Sequence, residues 1–456
     1  MTKSTQVNKF RLALLVTVPS LMLSQPGWSR DIVIADGEIV EDSLDLEGDD
    51  SLTIAEGGVL SVDGSAIKLE SASTGIVIDN RGTIESVEPD GRAIAARRGP
   101  TGPRTLTLNN SATGIIQAES DAFRINNDIT SGIVTINNAG LIRSTVDGQA
   151  LDFNSIESAG TDAAQVTINN LAGGVIRAEG ADGIRPGQGA IINNAGLIFA
   201  GGVVGDKHDG IDWQERSGTV VNLDGGVITG FRHGIETDIF VDVFNAAGGV
   251  IIGRNGSGVG SDGDGRVVNY GRITGSYAGE GPGDGDGVDI DFHGEVENFG
   301  IIEGTGASRL NADGEPNGSE GVAITESGYV INHENASITG QSRGVTAFGD
   351  IRVENYGLIR GNDVGLIMSR GATGINGGQI FGRRAVMLQG VADFTNLEGG
   401  LISGVRESVL SQLGNRVVNR GAMTGNVVFR AMSNGVNGGS SGNVTTFIQD
   451  GGTVEG

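Results

Sequence analysis

The chain of 456 residues has no cysteine, only four histidines and an aromatic content of 4%. Without cysteine there is no disulfide framework and no thiolate metal site. His208, His233, His293 and His333 are too scattered for any pair to show metal-ligand spacing on one element, which argues against zinc. So few rings do not suit a compact domain built on one aromatic core. Basic residues are also short: 31 Lys and Arg against 56 Asp and Glu give a net charge of −25. That field repels nucleic acid and anionic lipid, so nucleic-acid binding is not expected. No glycine cluster is followed by the Lys-Ser/Thr that a phosphate-binding loop needs. The apolar run Leu12 to Leu23 is too short to span a bilayer, and nothing after it approaches 18 apolar residues.

What the chain does have is 80 glycines and one phrase written repeatedly. Val267-Val-Asn269-Tyr-Gly271-Arg-Ile273-Thr-Gly275 is its clearest copy. Asparagine recurs at 80, 110, 138, 170, 194, 222, 245, 269, 298, 332, 355, 376, 396 and 419, about every 26 residues. A glycine follows two or four residues later, with Ala336 replacing it once, and an inward position two further on is Ile84, Ile116, Ile142 and so on to Ile402 and Met423. Repeats of this period indicate a solenoid. Gly, Val, Ile, Thr and Asn favour strands and turns over helices.

Each unit has three apolar stations at strand spacing. The first lies two residues before Asn (Ile78, Leu108, Ile136 and onward), with Gly374 the one interruption. The second is the isoleucine column. The third follows a small residue: Ile94, Leu151, Ile184, Ile211, Ile235, Val259, Val288, Val322, Val345, Leu366, Val386 and Val409. Alternation at period two places these side chains on one face. The expected fold is all-β, a right-handed single-stranded parallel β-helix of about 14–16 coils with three short strands each. The asparagines are expected to be structural, because Asn tolerates left-handed bends and its amides can bond from coil to coil.

Residues 1–29 read as a signal peptide, with Lys3, Lys9 and Arg11 before the apolar run and small residues at Gly27 and Ser29. Removing those three basic residues leaves −28 on the mature part. Residues 30–75 read as an acidic N-terminal cap with one degenerate coil at Glu56 to Leu60, and 76–456 as the β-helix. At the end, Asp450-Gly-Gly452-Thr-Val454 restarts the phrase with Asp in the Asn position, from which a truncated C-terminus is expected.

Together, the leader, the cysteine-free Gly/Asn-rich coils and the Asn-x-Gly-x-Ile-x-Gly phrase resemble the passenger region of bacterial autotransporters (type V secretion). The resemblance covers roughly residues 30–456. It implies export through the inner membrane, presentation at the cell surface or secretion, and an outer-membrane β-barrel translocator as partner. That barrel is missing from this sequence, which shows no run of alternating, aromatic-girdled strands. A chain that crosses a second membrane unfolded also has reason to lack disulfides. The expected function is adhesin-like display to a host or environmental protein or glycan, without catalysis.

Two clusters of residues suggest chemistry. Asp284, Asp286, Asp289 and Asp291 supply hard oxygen ligands that suit calcium, as a cofactor set against a plain acidic face. Asp209, Asp212, His233 and Glu236 look a little like the carboxylate and histidine boxes of polygalacturonase-like β-helices, which would make the chain a lyase or glycoside hydrolase. Against this, Asp-Gly before the third strand recurs at Asp90, Asp147, Asp182, Asp209 and Asp286, which marks a turn. Stacked, the acidic stretches Asp206 to Asp212, His233 to Asp238, Ser261 to Asp264 and Asp284 to Asp291, in four successive coils, are expected to line one outer face with carboxylates. Trp213, Tyr270, Tyr277 and Phe292 are the rings near enough in sequence to serve as substrate platforms.

Overall fold

The structure, a computed structural model, describes residues 29–96, 102–203, 205–277, 285–306, 318–412, 414–430 and 445–456. The signal-peptide reading of 1–29 therefore lies almost wholly outside the described residues. Within them the chain is a parallel β-helix, and no helix is long and apolar enough to cross a membrane.

One coil shows how the sequence makes the element. Ser217–Asn222, Val227–Gly230 and Ile235–Glu236 are its three strands. Each pairs in parallel with its counterpart one coil on: Phe240–Asn245, Val250–Gly253 and Val259–Ser261. The next coil continues as Asp264–Asn269, Arg272–Ser276 and Val288–Ile290. Along the first strands the inward set is apolar and closes on the buried asparagine, while the intervening residues are half-buried or exposed.

The aliphatic column is continuous. Ile198, Ile228, Ile251, Ile273, Ile302, Ile338 and Ile359 pair in register, one above the other, and all are fully buried. Each buried branched side chain contributes about 1.5–3 kcal/mol relative to exposure, which offsets the backbone entropy of fixing so many short strands. At Gly374, where the first column lacks a side chain, the neighbours fill the gap. A β-carbon there would lie 2.6 Å from Phe394 and 2.7 Å from the Met368 sulfur.

Beside the aliphatic column runs a chain of amides. The Nδ2 of Asn245 donates to Oδ1 of Asn269 at 2.8 Å, Asn269 donates to Asn298 at 2.8 Å, and Asn298 to Asn332 at 2.9 Å. The pattern is unbroken from Asn80, which donates to Asn110, to Asn396, which donates to Asn419. Every donor points toward the C-terminal end. The second Nδ2 hydrogen reaches backbone oxygens such as Arg272 and Ile301. Each asparagine therefore closes its own bend and ties it to the next coil.

The glycine after Asn is fixed by that close approach. A β-carbon at Gly271 would sit 2.2 Å from the Gly249 carbonyl oxygen, and one at Gly140 would sit 2.3 Å from that of Gly114. The stacking of Gly114 under Gly140 also shows that the two-residue and four-residue spacings from Asn occupy one register. The longer form adds its extra residues to the bend.

Two expectations change. Residues 30–75 hold two sets of strands instead of a cap around one degenerate coil: Asp31–Ile34 pairs with Ser51–Ile54, which pairs with Val77 to Asn80. At the other end Gln449, not Asp450, takes the Asn register, pairing with Asn419 and accepting its amide at 3.1 Å. Glutamine carries the same amide one methylene further out, so it extends the ladder where aspartate would offer no donor.

Candidate functional site on the third strands

The third strand is two or three residues long in most coils and carries the buried acids. Counting two residues back from each inward apolar station gives Arg92, Asp121, Gln149, Asp182, Asp209, His233, Ser257, Asp286, Glu320 and Arg343, one above another along the rod. Asp90 and Asp147 are not in this column. Their Asp-Gly is followed by two further residues before the strand, which places Arg92 and Gln149 in the register instead.

The acids of the column are buried, and arginines or backbone N–H groups meet them from coil to coil. Asp121 pairs with Arg92 at 2.9 Å and Arg124 at 3.2 Å, and Arg124 also meets Asp152 at 3.0 Å. Asp182 pairs with Arg185 at 2.7 Å and accepts the Asp209 backbone N–H at 2.8 Å. Asp209 has no exposed surface, and both its oxygens are engaged. Arg232 donates to them at 2.7 and 3.1 Å, and the His233 N–H donates at 2.8 Å. Asp286 accepts the Glu320 N–H at 2.5 Å, and Glu320 pairs with Arg343 at 2.6 Å. The expected outer face of carboxylates is thus an inner seam for Asp209 and Asp286. The expectation overlooked that a residue two before an inward isoleucine points the same way as that isoleucine.

Asp209, Asp212, His233 and Glu236 do come close together. Carboxylate oxygens of Asp182, Asp209 and Asp212 all lie within 4.8 Å of one another, and Arg185 and Arg232 sit among them. Burial pushes Asp209 up to about 6, with Arg232 opposing and Asp182 adding to the rise. Burial followed by the Asp182 and Asp209 charges raises Asp212 to about 7, although it accepts the Gln214 N–H at 2.8 Å. His233 accepts the Ser257 N–H at Nδ1, 2.8 Å away, which places its ring proton on Nε2. Burial, and then Arg232, hold the imidazole neutral, well below its usual range.

The carboxyl spacing is near the roughly 5–5.5 Å of a retaining glycosidase pair, but the surroundings are those of a packed seam. Trp213 is fully buried and Tyr277 nearly so, which removes both as substrate platforms. Tyr270 is 42% exposed, but Phe299 stacks on it at 4.4 Å with an interplanar angle of 2°. Phe292 is exposed. A shallow pocket of about 340 Å³ lies elsewhere, lined by Ser158, Thr161, Gln165, Thr167, Gln188 and Ile191, and contains none of the acids.

Of the calcium set, Asp284 lies outside the described residues. Asp286 is buried and bonded to the next coil, while Asp291 is exposed, its pKa raised by partial burial and then by the Asp262 charge. Asp286, Asp289 and Asp291 do not form a three-carboxylate group among the described residues.

A different acidic group does form, one bend further on. Carboxylate oxygens of Glu236, Asp238 and Asp262 lie within 4.8 Å of one another. The sequence carries its signal, Glu236-Thr-Asp238 stacked under Ser261-Asp262, but naming Asp262 as a partner of Glu236 requires the strand register. A feature that sequence reasoning missed is an outer amide ladder. Asn193 donates to Asn169, Asn169 to Asn137, Asn137 to Asn109 and Asn109 to the Asp79 carboxylate, each at 2.8 Å. The doublets Asn109-Asn110, Asn137-Asn138, Asn169-Asn170 and Asn193-Asn194 were its legible sign.

Compared with protein-family models, curated proteins and solved structures, the chain matches none.

Proposed function

We propose that the rod is an exported, non-catalytic display scaffold of the autotransporter-passenger type, carrying outward side chains and loops to a protein or glycan partner at the cell surface. The observation that carries the reading is the commitment of the third-strand acids. Asp182, Asp209 and Asp212 are buried, and each is held by arginine and by a backbone N–H, that of the next coil for Asp182 and Asp209 and that of Gln214 for Asp212. Groups used in this way join coils together and leave the outward positions free to vary. The leader-like residues 1–29 and the absence of cysteine support export, with a β-barrel translocator as the partner that the resemblance implies.

The test uses the purified mature chain on arrays of glycans and surface proteins, together with reducing-end and unsaturated-product assays on acidic and neutral polysaccharides. Saturable binding without product release is expected. Turnover that disappears in both Asp209→Asn and Asp212→Asn would replace this reading with the polysaccharide-active one.

A further inference from the structure

We infer that Glu236, Asp238 and Asp262 form a calcium site at the bend after the third strand. The inference is independent of the display reading and takes no ligand from residues 284–291. Three observations meet at this bend. The first is the spacing: oxygens on opposite sides of a Ca²⁺ bound at about 2.4 Å are at most about 4.8 Å apart, the span within which these three carboxylates lie.

The second is a missing partner. Glu236 is 6% exposed, and its Oε2 has no hydrogen-bond partner and no contact with solvent. Its carboxyl reaches across the next coil at Gly260, where a β-carbon would be 2.3 Å from Oε2, and so points toward Asp262 two residues on. The nearest cationic candidate is the His233 Nε2, 3.7 Å from that oxygen. That ring accepts the Ser257 N–H at Nδ1, and its Nε2 stands beyond hydrogen-bond reach of the oxygen.

The third is the local charge. The neighbouring Asp182, Asp209 and Asp212 cluster is paired with Arg185 and Arg232. Among the described residues, no lysine or arginine forms an ion pair with Glu236, Asp238 or Asp262. Glu215 and Asp291 add to the negative field on this corner. A buried carboxyl without a partner is costly, and a divalent cation would satisfy it. All three ligands are hard oxygens, which suit Ca²⁺ over transition metals. Asp238 and Asp262 are exposed, so water has access to the remaining coordination positions.

The experiment titrates CaCl₂ and, separately, MgCl₂ into the EDTA-stripped mature chain. Calorimetry and thermal unfolding are the readouts. Calcium is expected to bind saturably and raise the unfolding temperature, with magnesium at least tenfold weaker. Asp262→Asn changes an exposed side chain and should fold normally while lowering calcium affinity at least tenfold. Asp63→Asn, a distant exposed acid, should leave it unchanged. Without calcium, Glu236→Gln should be as stable as the parent or more so, and it should lose the calcium-dependent shift. Absence of binding overturns the inference, as does binding that persists unchanged in Asp262→Asn and Glu236→Gln.

Discussion

Replacing Asn269 tests whether the amide ladder holds the rod together or merely decorates it. Its Oδ1 accepts from Asn245 Nδ2 at 2.8 Å and from the Gly271 N–H at 3.1 Å, and its Nδ2 donates to Asn298 and to the Ile301 carbonyl. Asn269→Ala strands groups on both neighbouring coils in a position with no solvent access. Each buried group left unsatisfied costs about 1–3 kcal/mol. Asn245 keeps the Gly249 and Arg272 carbonyls, and Asn298 keeps the Gly300 N–H. The net loss should therefore be about 3–5 kcal/mol, less than the sum over all the bonds.

Asn269→Asp adds a pH signature. A carboxylate there would face the Asn298 oxygen and the Ile301 carbonyl, two acceptors, so its folded pKa should rise above the unfolded value of about 3.9. The variant should approach parental stability below about pH 4 and lose it as pH rises. A shift of about 3 units corresponds to about 4 kcal/mol at pH 7. Because a solenoid couples only nearest neighbours, the readout is hydrogen exchange resolved by peptide. Exchange should quicken over residues 240–305 and stay unchanged over 376–396. Asn193→Ala, which removes one bond of the half-buried outer ladder, is the control and should cost under about 1 kcal/mol. Equal effects of Asn269→Ala and Asn193→Ala would refute the reasoning.

Arg104 is 1% exposed, its two terminal nitrogens have no hydrogen-bond partner, and burial lowers its pKa. Arg104→Met should leave denaturant stability unchanged or raise it by about 1–3 kcal/mol, and a loss above about 1 kcal/mol would reveal a guanidinium partner. Asp209 and Asp212 titrate in the folded chain near about 6 and about 7, above the unfolded value of 3.8. Folding therefore takes up protons between pH 4 and 8, so their contribution is greatest below about pH 4 and is lost as pH rises through 6 and 7. Exchange over residues 205–240 should be slower at pH 5.5 than at pH 8, and the double variant Asp209→Asn/Asp212→Asn should flatten that slope. Asp50 works in the opposite sense. Arg30 and the Glu47 and Arg30 N–H groups lower its pKa against burial, so its contribution is present above about pH 4 and is lost in acid.

The isoleucine column and the inner asparagines were legible because each occupies a fixed distance from a conspicuous bend and appears in nearly every coil. The third strand was harder to read. Its distance from the asparagine varies with bend length, so Asp90 and Asp147 looked equivalent to Asp209 until strand pairing separated them. Phe123 was missed for a different reason. It fills the third station between Ile94 and Leu151 and packs edge-on against Phe153 at 5.0 Å, but it is an aromatic ring in a column otherwise read as aliphatic. The Glu236, Asp238 and Asp262 group draws on two coils, and residues 24 to 26 apart become neighbours only when the register is known.

The same geometry explains why architecture reads so clearly and binding does not. With coils stacked at about 4.8 Å, a side chain's strongest partner is the residue one coil above or below, so like tends to sit on like even outside the core. Tyr270, Phe299 and His333 stack ring on ring at 4.4 and 3.8 Å, and the outer asparagines bond amide to amide. Stacked rings face each other along the rod and present edges outward, so they stabilise the surface more than they offer flat faces to a sugar. Inward repetition is obligatory, because one wrong residue leaves a hole or an orphaned amide in the column. Outward, the Asn109 position becomes Asn193, Phe244, Glu297 and Glu354 without breaking a strand pair. A recognition surface must therefore be written in the positions that repeat least, while the phrase that repeats most carries only the fold.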